Sequence, residues 1–253
     1  MLILLATLIF LYALLYRVLH AAQFRLRTVE IESNTGTALL HVHKADVLAN
    51  LQGKLSGNFF TVNLSKVQQT LLSVPWVRRV SIRRVWPNAL KIAIEEHIPQ
   101  AVWKTKSCSC LVNAHGEIFR IHPNDLLSLE KQPQRKDSLV NFVGPENAAA
   151  EMTLHRKKLQ DIFKPLNWQL TTLELSQRYA WRAIFNNDIQ IEFGREDHQP
   201  DLETRAKQFV QALPKVMKLH PTKLVYADLR YPQGFAVRFH KEDKSTMKLQ
   251  FAH

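Results

Sequence analysis

The chain opens on an almost unbroken apolar run. Leu2 to Tyr16 carries no charge and is interrupted only by Ala6, Thr7 and Ala13. Arg17 can snorkel, and Val18, Leu19, Ala21 and Ala22 extend the run to about twenty residues, enough to cross a ~30 Å hydrocarbon core. No basic residue precedes it, and Leu19-His20-Ala21-Ala22 makes a poor cleavage site, so the pattern predicts an uncleaved helical anchor over residues 1–23. Arg17, Arg25 and Arg27 after the run favour the cytoplasm on charge alone. A basic segment upstream of Met1 would reverse that, and the start of the chain inside its own span raises the expectation of one.

Past Phe24 the period shortens. Thr28-Val29-Glu30-Ile31-Glu32 alternates as a strand does. Val42 to Leu51 reads as a helix with Val47, Leu48 and Leu51 on one side and Gly53 as its stop. Leu64 to Leu72 reads as a second, capped by Asn63, with Leu64, Val67, Leu71 and Leu72 as its apolar stripe. After Pro75, Val80 and Ile82 alternate with polar residues. Beyond Trp86-Pro87-Asn88, Leu90, Ile92 and Ile94 do the same, which predicts an antiparallel hairpin. The order strand, helix, helix, strand, strand buries every apolar set if both helices lie on one face of a three-stranded sheet.

The remainder predicts a larger sheet. Leu111 to Phe119 reads as a hairpin around Asn113 to Gly116, and Phe142-Val143-Gly144-Pro145 follows a polar loop. Ala148 to Leu166 is helical in pattern. Strand candidates follow at Leu170 to Leu175, Ala180 to Phe185, Ile189 to Phe193 and Lys223 to Asp228. A helix through Leu202, Ala206, Phe209, Val210 and Leu213 is expected to end or kink at Pro214. Phe235 to Phe239 is the last clear strand, with Phe235, Val237 and Phe239 on one face and Ala236 and Arg238 on the other. Lys241 to His253 reads as a trailing strand or tail.

Composition narrows the function classes. With 253 residues, 46% hydrophobic and 22% charged, the chain is neither disordered nor multi-spanning. A formal charge of +12 favours an anionic partner such as a lipid surface or an acidic protein face. Nucleic acid is disfavoured, because no helix-turn-helix, zinc finger or stacking motif stands out. Seven glycines leave little for a phosphate-cradling loop. No G-x-S-x-G, P-loop or H-E-x-x-H occurs. Cys108-Ser109-Cys110 lacks the second pair a zinc site needs. His41 and His43, read as neighbours on one side of a strand, lack a third ligand. No catalytic, cofactor-binding or metal-binding residue is assigned. Trp76 and Trp86 read as structural, and Arg78, Arg79, Arg83 and Arg84 as a basic strand face.

Three stretches of the first block carry a resemblance: Val74-Pro75-Trp76-Val77, Arg84-Val85-Trp86-Pro87 and Glu95-Glu96-His97-Ile98-Pro99-Gln100-Ala101-Val102-Trp103. Together with the element order they resemble a POTRA domain of the FtsQ family of bacterial cell-division proteins. Asn186 to Arg195 and Asp228 to Val237 resemble that family's β domain. The resemblance implies an α+β chain: a transmembrane helix over 1–23, a β-α-α-β-β POTRA domain over 24–103, and a mostly antiparallel β domain with flanking helices over 104–253. It further implies a non-enzymatic, single-pass inner-membrane protein with its bulk in the periplasm, enriched at the septum.

Its expected partners are FtsB and FtsL, with FtsB pairing along the last strand. That mapping points to Tyr231, Gln233, Gly234, Phe235, Val237 and Phe239, to Arg178 as a charge-pairing contact, and to Thr222 or Lys223 as a further contact. From the residues alone, Phe235, Val237 and Phe239 fit inward packing as well as they fit an interface. A different expectation, a POTRA-containing accessory of outer-membrane protein assembly or secretion, would use the same edge mechanism.

Overall fold

The computed structural model describes residues 2–19, 21–34, 36–105, 108–131, 139–196, 200–219, 222–231 and 234–240. The chain divides into two compact units, Met1–Ile98 and Pro99–His253.

The first unit begins with helix α1 (Leu2–Leu19). At 1.5 Å per residue its 18 residues span about 27 Å. Among the described residues no helix is long and apolar enough to cross a membrane. The expected run to Ala22 stops short because Ala22–Phe24 forms a separate 3-10 turn whose Phe24 is buried. Strand β1 (Thr28–Ser33), helices α2 (Lys44–Leu51) and α3 (Leu64–Leu72), and strands β2 (Val77–Val85) and β3 (Ala89–Glu96) follow in the predicted order.

The sheet order is β1-β3-β2, with β1 parallel and β2 antiparallel to β3. Ile92 pairs with Ile31 on one side and Ile82 on the other, and is fully buried. Asn63 caps α3 as predicted, its side chain accepting from the Lys66 amide at 3.0 Å. Helix α2 starts only at Lys44. His41 and His43 precede it in a loop, with the His41 ring stacked on Trp76 at 3.9 Å, so the strand reading of these histidines is corrected. The amides of Leu40, His41 and Val42 donate to the Glu96 carboxylate, which fixes that loop. Leu48 and Leu72, expected in the buried stripes, are 47% and 44% exposed. Trp76 is buried, but Trp86 is 71% exposed and is not the closing core residue expected.

The second unit holds a nine-stranded mixed sheet of order β12-β11-β10-β9-β8-β7-β4-β5-β6. Its strands are β4 (Pro99–Trp103), β5 (Cys110–Asn113), β6 (Ile118–Arg120), β7 (Val140–Val143), β8 (Leu170–Leu175), β9 (Ala180–Phe185), β10 (Gln190–Arg195), β11 (Leu224–Asp228) and β12 (Ala236–Phe239). Pro99–Trp103, expected to end the first domain, instead pairs with β5 and β7. The Glu-His-x-Pro stretch thus straddles the division, and only its first half belongs to the three-stranded sheet.

Helices α4 (Pro123–Lys131), α5 (Ala149–Phe163) and α6 (Leu202–Leu219) complete the second unit. Helix α4 falls in what read as a polar loop. Helix α6 continues through Pro214 instead of ending there. Helices α5 and α6 pack on one another and on strands β8 and β10, respectively.

The period-2 alternation sets the two faces of this sheet. One row of partners, Leu173, Ala183, Ile191, Ala227 and Val237, runs across five strands on the helix-covered side. The next row, Glu174, Arg182, Glu192, Asp228 and Ala236, lies on the other side, where Arg182 bridges Glu174 and Glu192. Phe163, Phe185, Phe193 and Phe209 fill the core beneath the apolar row.

Candidate partner-binding edge

Strand β12 is the terminal strand of the nine-stranded sheet among the described residues, with β11 on one side. The backbone register fixes how it lies. The His240 amide donates to the Lys223 carbonyl at 2.8 Å, and Arg238 and Ala236 pair with Tyr226 and Asp228. In an antiparallel ladder, alternate residues turn both main-chain groups to the same neighbour. Arg238 and Ala236 therefore face β11 with their N–H and C=O groups, and Val237 directs its own away from β11. The single register shift lies on β11, between Leu224 and Tyr226, so β12 itself stays regular.

Side chains divide the opposite way. Phe235, Val237 and Phe239 are half-buried and packed against the core, and the Phe235 ring meets Phe209 edge-on at 5.1 Å. Ala236 and Arg238 are exposed, and the Arg238 guanidinium sits 5.0 Å above the Tyr226 ring. The inward alternative for Phe235, Val237 and Phe239 is thus the observed one: what these positions turn outward is peptide, not aromatic surface.

Tyr231 is 56% exposed just after β11. Gly234 is exposed, and a Cβ built there meets nothing within 4 Å. Gln233 lies outside the described residues. The connection from β11 to Tyr231 is braced by Asp228 and Arg230. The buried Asp228 carboxylate accepts from the Arg230 amide at 3.0 Å and from its guanidinium, which holds its pKa below the usual carboxylate value. The Arg230 stem lies over Gly194 at the β10 bulge, where φ is +74° and a Cβ would come within 2.8 Å of Arg230 Cγ.

The remaining expected contacts lie apart from one another. Lys223, exposed, and Thr222, half-buried, precede β11 at the end of β12 marked by Phe239. Beside Lys223 an apolar hollow of about 310 Å³ is lined by Trp168, Leu213, Pro214, Met217 and Leu224. Arg178 is exposed in the β8–β9 turn, at the same sheet end as Tyr231. Three strand intervals separate β9 from β12, about 14 Å.

The other candidate chemistry is structural. Cys108 and Cys110 form a disulfide with Cys110 buried in β5. Glu151, His155 and Glu196 bring potential ligand atoms within 4.8 Å of one another. However, Lys158 and Arg205 both interact electrostatically with Glu196, and the buried His155 ring packs on Trp181 at 4.6 Å. The Asp228–Arg230 brace and the Gly194 seat escaped the sequence reading. The charged pair two residues apart and the glycine inside a strand pattern were their only signals.

Comparisons with known proteins agree with this architecture. A family model for the FtsQ-type POTRA domain matches residues 24–97, and one for the C-terminal region of cell division protein FtsQ/DivIB matches residues 101–230. A cell division protein FtsQ from Burkholderia pseudomallei is 37% identical, covering 90% of this chain and 88% of that protein. The same-named proteins of Bordetella pertussis and Nitrosospira multiformis are each 34% identical, covering 85% and 92% of this chain and 79% and 92% of their own lengths.

Proposed function

The chain belongs to the FtsQ family of bacterial cell-division proteins, and from that premise we propose that it is a non-catalytic membrane scaffold of the divisome. Its C-terminal sheet edge takes up FtsB, itself paired with FtsL, and through them it helps recruit and control septal peptidoglycan synthesis. The observation that carries this reading is the orientation of Val237. Its side chain packs inward while its N–H and C=O turn away from β11, on the terminal strand among the described residues. Such a strand is a template for strand addition.

Affinity from main-chain pairing alone is modest, since each bond adds about 0.5–1.5 kcal/mol net. The exposed Tyr231 ring therefore serves as the anchor, in keeping with the enrichment of aromatics at binding hot spots. The separation of Arg178 from β12 implies that the partner carries a second element crossing the Tyr231 end of the sheet, beyond the strand that pairs. Thr222 or Lys223 then meets the paired strand at its other end.

The anchoring part of the reading rests on α1. Its described apolar side chains are exposed all round, from Ile3 at 82% to Leu14 at 51%. A helix apolar on every side needs a non-aqueous surround, so we read residues 1–23 as the single-pass anchor in the inner membrane, with the rest of the chain in the periplasm at the septum.

The test is a main-chain substitution. Val237→Pro removes an N–H that faces away from β11 and leaves the donors of Ala236 and Arg238 in place. Val237→Ala trims packing and keeps the N–H. Co-purification of FtsB should be lost with the proline variant and kept with the alanine variant. Undiminished capture by a folded Val237→Pro chain would exclude strand addition.

A further inference from the structure

We infer that the end of the POTRA sheet bearing Trp86 is a lipid-binding face that lies on the anionic surface of the bilayer; the inference rests on the reading of α1 as the membrane anchor.

The first observation is topological. In the register of the three-stranded sheet, Thr28 pairs with Ala89, and Val85 with Ala89 on the other side. The entry of the chain into β1 and the Trp86-Pro87-Asn88 turn are therefore at the same end. The Arg27 amide donates to the Asn88 carbonyl at 3.0 Å, and the Phe59 amide to the Phe24 carbonyl at 2.8 Å, which ties both segments to the entry point. Only four residues lie between Leu19, the last of α1, and Phe24, a path of five Cα steps. Fully extended it reaches about 17 Å, and the 3-10 turn shortens that. A helix ending in the bilayer thus delivers this end of the domain to the headgroup layer.

The second observation is what that end exposes. Phe24 is buried, and its ring centroid lies 4.9 Å from that of Phe60 and 6.4 Å from that of Trp86. Phe60 is 42% exposed and Trp86 71%. A rigid aromatic cluster with an indole on its outer side is the composition found at membrane interfaces, where the ring sits among the headgroups.

The third is charge. No carboxylate occurs between Asp46 and Glu95, and none before Glu30. Arg25, Arg27, Arg83 and Arg84 are exposed at the Trp86 end, and Arg84 is held toward the Phe60 loop by donating to the Val62 carbonyl at 3.1 Å. The acidic residues Glu32, Glu95 and Glu96 lie at the far end of the strands and are engaged by Lys91, by Arg78 and by the amides of residues 40–42, respectively. The Trp86 end thus carries the aromatic cluster and four exposed arginines against one carboxylate, Glu30, in the row of Arg83 and Lys91, whereas the other end mixes Glu32, Glu95 and Glu96 with Arg78 and Arg79. An anionic phospholipid surface satisfies both features at once.

The experiment uses the full chain reconstituted in vesicles of phosphatidylcholine with phosphatidylglycerol, with a fraction of the lipid brominated in its acyl chains. Of the five tryptophans, Trp76, Trp103 and Trp181 are buried and Trp168 is half-buried, so quenching by the bromines reports chiefly on Trp86. The expected result is quenching of wild-type emission, loss of most of it in Trp86→Phe, and a decrease when phosphatidylglycerol is omitted. Arg25→Glu with Arg27→Glu keeps the reporter and should lower quenching on the anionic vesicles.

Flotation of the same samples separates the two readings. Protein that floats with the vesicles but shows no quenching assignable to Trp86 overturns the lipid-facing inference and leaves the anchor intact. Protein that does not float overturns the anchor reading, and this inference with it.

Discussion

Arg230 grips Asp228 through two donors of its guanidinium, Nε to Oδ1 at 2.8 Å and Nη2 to Oδ2 at 2.6 Å. The pair ties the last residue of β11 to the segment that leads through Tyr231 to β12, so it braces the proposed docking edge from behind. Arg230→Ala should cost about 1 kcal/mol, the worth of a charge-assisted bond discounted for the exposure of Arg230. The larger effect should be local: faster amide exchange over residues 229–231 and 234–239, with the protection of β8 to β10 unchanged. Uniform loss of protection across the sheet would show that the brace acts on the whole unit.

The same pair gives a pH dependence of known sign. The Arg230 hydrogen bond holds the Asp228 pKa below its ordinary 3.8. A carboxyl depressed in the folded state stabilises fully above its unfolded pKa and loses that contribution as pH falls through the folded value. The group's contribution should therefore be complete and independent of pH near neutrality, and be lost as pH falls below 3.8. Asp228→Asn should flatten that part of the acid limb in a thermal-melt series.

Gly194 and Arg230 are coupled sterically. Any side chain at Gly194 would sit at φ +74° and press on Arg230 Cγ at 2.8 Å. Gly194→Ala should destabilise by about 1–2 kcal/mol from the left-handed backbone alone, with the clash added. In a Gly194→Ala, Arg230→Ala double variant the clash disappears, leaving the backbone cost and the lost Asp228 bridge. Double-mutant coupling measured by denaturant unfolding checks this, and strictly additive losses would show that the stem of Arg230 moves aside freely.

In the first unit, Ile92 is the position where the sheet is least able to accept a charge. It is fully buried at the centre of β3, between Ile31 and Ile82. Ile92→Asp leaves an unpaired carboxylate in the core and should cost upward of 3 kcal/mol. The melt of the POTRA unit should be lost while the second unit retains its own transition. An unchanged melt would mean that the facing of β3 is wrong.

These positions differ in how far the sequence exposed them. Period-2 alternation placed Ile92 in the core and paired β2 with β3 correctly, because one buried face forces one register. Asn63 announced the start of α3 for the same local reason. The membership of Pro99–Trp103 was not legible: its apolar run fits either sheet, and only tertiary pairing with β5 and β7 decides. Helix α4 was hidden in polar composition. The continuation of α6 past Pro214 was hidden because the helix rule at proline is a tendency that packing overrides. At the edge, alternation named Phe235, Val237 and Phe239 as one face but could not say whether that face turned in or out. The ring contact between Phe235 and Phe209 decides that it turns in.

That contact also separates two aromatic residues that the sequence treated alike. Tyr231 is 56% exposed, whereas Phe235 packs edge-on against the buried Phe209. Tyr231→Glu should keep the wild-type melting temperature and lose FtsB on co-purification. Phe235→Glu should destabilise the sheet by about 1–3 kcal/mol, since it sets a carboxylate against the buried Phe209 ring on the half-buried side of β12, and should lose FtsB only as a consequence. Phe235→Leu, which keeps the site apolar, should recover most of the stability and with it the binding. Two outcomes would reverse the assignment of anchor and core residue: a Tyr231→Glu chain that still captures FtsB, or a Phe235→Leu chain that melts normally yet cannot.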